Sequence, residues 1–166
     1  MERFIKDIIE KEGALNETDQ ELFHTNCAEN LFRSANAKYN LKVTEEFIQA
    51  IIPFGAGMQT QNTCGALLGS LAALGMIYGE PKPTLNKKMK AAVTKYVERF
   101  EEIFHSMKCS EVKPAFMDEA GSCTPVKIRA GQLLDEIVAN FDEIYEEYLR
   151  KEAEEAAAAQ EQEGQA

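Results

Sequence analysis

Four cysteines, Cys27, Cys64, Cys109 and Cys123, are the side chains of this 166-residue chain best suited to chemistry. They are separated by 37, 45 and 14 residues. No CxxC pair occurs, so zinc-ribbon and thioredoxin spacings are absent; no CxxCH occurs, so covalent c-type haem attachment is unsupported. Placement says more than spacing. Cys64 stands where the polar stretch Gln59–Thr63 meets an apolar run, Cys123 immediately precedes Thr124-Pro125, and Cys109 follows a long helical pattern. A helix N-terminus carries free N–H groups and partial positive charge, both of which favour thiolate over thiol. Thiolate is the form that attacks disulfides or ligates iron. Cys64, expected at such a terminus, is therefore the candidate reactive thiol of a metal-free mechanism.

The opposing reading treats the four as small buried hydrophobes, which free cysteine often is. Cys27, expected inside a helix, leans that way. Two histidines could assist: His24, three residues before Cys27 and on the same face if both are helical, and His105, four before Cys109. Two scattered histidines are ordinary, and a surface or satisfied core role is the better reading of both. No phosphate loop, HExxH or Ser/His/Asp context is present.

The elements that must position these residues read as helices throughout. Phe4, Ile5, Ile8 and Ile9 give a first short helix closed by Gly13. Asn16 or Thr18 caps a second, which carries Leu22, Phe23, Leu31, Phe32 and Ala35 and fades near Asn40. A third opens at Thr44 and runs through Ile52 to Pro53. Cys64–Tyr78 is apolar nearly all round, as in a helix buried on every side, and its glycines let neighbours approach closely. Gly79-Glu80-Pro81-Lys82-Pro83 is a stop. From Asn86, Met89, Val93, Tyr96, Val97, Phe100, Ile103, Phe104 and Met107 share one face. Lys108–Ser122 reads as a connector. Thr124 then caps a last helix, with Pro125 at its first position and a heptad-like seam of Ala130, Leu134, Ile137, Phe141, Ile144 and Tyr148.

The expected fold is all-α: a single-domain bundle of about five to six helices around a buried glycine-rich helix, over residues 1–150, with an acidic, alanine-rich tail at 151–166. A chain of this length buries a core without help from disulfides or metals. The net charge is -10, and the stretch from Asp142 onward holds -7 of it. No basic stripe stands out, so nucleic acid is not an expected partner. Neither a signal peptide nor a membrane span is read from the sequence, and the expected location is cytoplasmic, where thiols stay reduced.

Several of these residues occur together in one known family. Cys64-Gly65-Ala66-Leu67-Leu68-Gly69 reads CGAxxG; it follows Phe54-Gly55-Ala56-Gly57-Met58 and leads into an apolar helix ending in Tyr78-Gly79. Asn26-Cys27-Ala28-Glu29 stands upstream, with Cys109 and Cys123 downstream. From about Leu22 to Leu134 the chain resembles the C-GCAxxG-C-C family of small helical redox-active proteins, named for four cysteines and this motif. The Ala56 spacer departs from a loop that is often richer in glycine there. A related helical domain occurs in split-Soret cytochromes; only its non-haem part could carry over.

The resemblance implies that Cys27, Cys64, Cys109 and Cys123 form one set. The first expectation is an iron–sulfur cluster, most simply [2Fe–2S] on four thiolates, used to carry or sense electrons. The second is metal-free exchange by two dithiol pairs, with the pairing open. Zinc on four cysteines is disfavoured by the lack of close pairs. A rival of another class is a non-catalytic interaction module that dimerises through the Ala130–Tyr148 seam. The expected partner is a redox partner that the sequence does not name.

Overall fold

The computed structural model describes residues 1–81 and 86–163, with the side chains at 21, 22 and 161–163 outside that description. Among the described residues there are nine α-helices and no strand: α1 Glu2–Gly13, α2 Glu17–Phe23, α3 Cys27–Tyr39, α4 Glu45–Gln49, α5 Gly65–Tyr78, α6 Lys87–Phe104, α7 Cys109–Phe116, α8 Thr124–Ala139 and α9 Phe141–Glu163. The all-α expectation holds. No helix among these residues is long and apolar enough to cross a membrane.

The helices outnumber the expected five to six for three local reasons. The expected second helix breaks at His24–Asn26, where extended backbone lets Asn26 cap a new helix. The connector after Lys108 contains α7, which keeps Pro114 inside its last turns. The last helix divides at Asn140 into α8 and α9. Asn16, rather than Thr18, caps α2, accepting from the Asp19 N–H at 3.0 Å. The third helix stops early, at Gln49. The expected stop at Gly79–Pro83 begins where α5 ends; its Lys82 and Pro83 lie outside the described residues.

Helix α5 is the axis. Its Ala66, Leu67, Ala73 and Leu74 are fully covered, and α3, α6 and α8 pack around it. Contact with α3 is closest at Gly69, where an added Cβ would stand 2.4 Å from the Ala28 carbonyl oxygen. Gly75, by contrast, faces open space, so not every glycine of this helix serves packing. Tyr96 of α6 is fully buried; its hydroxyl donates to the Ala130 carbonyl of α8 at 2.9 Å and lies 2.6 Å from Ser70 Oγ of α5. One buried polar cluster thus ties three helices, since an unpaired hydroxyl there would be costly. Phe32, Phe100, Leu133 and Leu134 complete the core, and each large side chain so buried contributes roughly 1.5–3 kcal/mol.

Helix α1 covers the α3–α8 side, with Ile5 fully buried and the Met1 ammonium 2.6 Å from Asp135 Oδ2. Helix α9 lies along α6, stacking Phe141 on Tyr78 at 3.9 Å between centroids. The seam residues Ala130, Leu134 and Ile137 are buried in the molecule's own core, with Phe141 and Ile144 packed at its edge. The helix runs unbroken across residue 150, and residues 153–160 are exposed.

Candidate functional site

All four cysteines stand at the first residue or N-cap of a helix: Cys27 opens α3, Cys64 caps α5, Cys109 opens α7 and Cys123 caps α8. Local chemistry sets each start. Asn26 Oδ1 accepts from the N–H groups of Ala28 and Glu29 at 3.1 and 3.0 Å, the usual asparagine cap. Its Nδ2 donates to the Ile52 carbonyl at 2.9 Å, tying the start of α3 to the segment before Gly55. The chains at Thr63 and Lys108 form one antiparallel bridge. Across it the Cys64 N–H donates to the Met107 carbonyl at 2.7 Å, and the Cys109 N–H to the Asn62 carbonyl at 2.5 Å. Cys123 follows a tight turn in which Asp118 Oδ1 accepts from the Ser122 N–H at 2.8 Å.

Three sequence readings are decided at these positions. Cys27 is the first residue of α3 rather than an interior one, so His24 does not share a helical face with it; His24 lies in the linker, exposed, with Nδ1 3.3 Å from Glu12 Oε2. His105 ends α6 in a left-handed conformation, is exposed, and does not line the site. The cap of α8 falls one residue before Thr124, on Cys123 itself.

Cys27, Cys109 and Cys123 line one open cavity of about 750 Å³, together with His24, Lys113 and Lys127. Cys64 lies behind it, 5% exposed. Cys27 Sγ packs where a Cβ on Gly65 would be, only 2.4 Å away, and Cys109 Cβ likewise fills the space above Gly57 at 2.7 Å. All four thiols are free. Among the described residues no three thiols, imidazoles or carboxylates stand close enough together to hold a single metal ion.

Burial decides the electrostatics of the site. The Cys64 thiol is pushed up to about 12, because burial disfavours the thiolate more than the N–H groups of Leu67 and Ala66 favour it; the charges of Cys27 and Cys109 push the same way. Burial also raises Cys109 and Cys123, reinforced by the charge of Cys27 and opposed by Lys113. The expectation that helix starts would lower these pKa values is therefore overturned: desolvation outweighs the dipole. Such thiols stay protonated until something cationic replaces their protons, as a bound metal does.

The loop beside the site is strained. Ala56, Met58, Gln59 and Gln61, with Gly57, all have φ between 51° and 64°. Each non-glycine residue in this left-handed region costs about 1–2 kcal/mol. The Asn62 N–H returns to the Gly57 carbonyl at 3.0 Å and closes the turn against Cys109. The sequence reads this stretch only as a polar loop. It also passes over Lys127, whose signal was a charge on the apolar seam, three residues before Ala130 and seven before Leu134.

Four helix starts carry four free cysteines, three of them lining one cavity and Cys64 buried, in a small all-helical protein. The family model described as "Putative redox-active protein (C_GCAxxG_C_C)" matches residues 25–144, and the chain belongs to that family. No curated protein and no solved structure matches it.

Proposed function

We propose that the protein carries or senses electrons through an iron–sulfur cluster, most simply [2Fe–2S], held by Cys27, Cys64, Cys109 and Cys123. The observation that carries this reading is that four free thiols each stand at a different helix start, three of them lining one cavity and the buried Cys64 feeling the charges of Cys27 and Cys109. The donor set fits such a cluster in kind, because thiolate sulfur is the usual ligand of iron–sulfur centres. When bound, the cluster supplies one-electron chemistry.

The chain's own residues do the rest. Gly65 and Gly57 leave room for Cys27 and Cys109. The Leu67 and Ala66 N–H groups face the Cys64 sulfur and stabilise its charge once it is ligated. The buried side of the site, formed by Cys64 and the α3–α5 contact, keeps water from one face. A reducing compartment such as the cytoplasm suits four free thiols.

A second reading has one observation behind it: Cys27 Sγ touches the residue next to Cys64. In it, those two thiols would give up two electrons and two protons to an oxidant and form one disulfide. Visible absorption and EPR of protein purified without oxygen separate the two. Charge-transfer bands and a signal on one-electron reduction are expected; a colourless, EPR-silent protein with one reversible disulfide would overturn the cluster reading.

A further inference from the structure

Lys127 lies one turn into α8, is only 6% exposed, and lines the same cavity as Cys27, Cys109 and Cys123. Its stem is covered while its ammonium opens to the cavity, and partial burial of a charge favours an anionic partner there. Among the described residues no acid forms an ion pair with it. The two carboxylates whose charge it feels are engaged elsewhere: Glu12 accepts from the Thr25 N–H at 2.8 Å and faces His24, and Asp118 accepts from the Ser122 N–H at 2.8 Å. Burial accordingly pulls the Lys127 pKa down, against those charges and the two nearest cysteines. Lys113, exposed on the rim, adds a second positive charge. Among the described residues the cavity lining thus carries two lysines and no carboxylate, in a chain of net charge -10, and favours a small anion there.

We infer that the thiol cavity is a binding site for a small oxyanion of phosphate or sulfate size, with Lys127 as its buried cationic partner. The anion's place beside a redox centre rests on the functional reading above; its binding does not. The competing role for Lys127, a counter-charge to the thiols alone, needs no ligand.

The test uses the full metal-free chain. Cys27 and Cys123, both half-buried, are alkylated with iodoacetate and with iodoacetamide, and each site is followed by mass spectrometry. The ratio of the two rates at one thiol cancels that thiol's pKa and reports the local preference for an anion. Lys127→Met is expected to lower the ratio about tenfold and Lys127→Arg to keep it, the size expected for one charge-assisted contact. Inorganic phosphate is expected to slow both reagents in the native chain and the arginine variant, but not in the methionine variant. An unchanged ratio in Lys127→Met, or no protection by phosphate, overturns the proposal. If Lys127→Met fails to fold, the ratio of the native chain against the urea-unfolded chain decides, with equality as the contradicting result. Anion preference without iron would sink only the cluster reading; iron without anion preference would sink only this one.

Discussion

Cys27 Sγ occupies the space that a side chain on Gly65 would need, with 2.4 Å left between the sulfur and a Cβ there. The same Cβ would stand 2.9 Å from the Phe54 carbonyl oxygen. Gly65→Ala should therefore push the Cys27 thiol away from Cys64 and destabilise the fold by about 1–3 kcal/mol, as overpacking does. Gly69→Ala should cost at least as much, since it meets the backbone of Ala28. Gly75→Ala, which meets nothing within 4 Å, should stabilise by roughly 0.5–1 kcal/mol. Urea titrations of the three variants check the order; equal effects at 65 and 75 would contradict it.

The thiols should differ sharply in reactivity. Cys64 is buried and its thiol is raised to about 12, whereas Cys27 and Cys123 are half-exposed. In the metal-free native chain, iodoacetamide at pH 8 should label Cys27 and Cys123 first and Cys64 only as the protein unfolds. Peptide mapping over time reads this directly. Rapid labelling of Cys64 would restore it as the attacking thiol of a metal-free mechanism.

Asp135 should make stability depend on acid. Burial alone would raise its pKa, but bonds from Lys38 Nζ, the Met1 ammonium and the Tyr39 hydroxyl, each at 2.6 Å, hold it below the ordinary value. The unfolded carboxyl therefore takes up its proton at a higher pH than the native one. Its contribution is complete above the unfolded pKa and is lost as pH falls through the native pKa. Asp135→Asn should lower Tm at pH 7, with the gap from the native protein closing towards pH 3. A constant gap across that range would contradict the assignment.

The buried Tyr96 hydroxyl should be worth about 1–2 kcal/mol, the range for a buried hydrogen bond. Tyr96→Phe removes its contacts with Ser70 and Ala130 and adds no cavity. Denaturant midpoints measure the loss; no loss would mean the cluster does not tie α5, α6 and α8.

Much of the architecture was legible because the helical faces are long and apolar: the α6 stripe from Met89 to Phe104 and the all-round apolar α5 admit few alternatives. The break before Cys27 was legible too, in principle. Asn26 followed by Glu29 is a cap with an acid in the first turn, but the apolar positions on both sides masked it. The start of α7 carries no side-chain cap signal, so Cys109 read as the end of something rather than a beginning. The left-handed residues Ala56, Met58, Gln59 and Gln61 were not legible, since alanine, methionine and glutamine do not favour that conformation; at Gly57 between them, Asn62 and Cys109 leave no room for a side chain. Thiol pKa values were misjudged because a helix start shows in sequence and the depth of burial does not.

Whether the four cysteines act as one centre is decided by counting iron and acid-labile sulfide per chain in protein purified without oxygen, for the native sequence and for Cys→Ser at 27, 64, 109 and 123 in turn. Iron and sulfide are expected in equal amounts in the native protein, with loss or marked depletion of both in every variant, Cys64→Ser included. Absence of both from the native protein, or a full complement retained in any one variant, would contradict it.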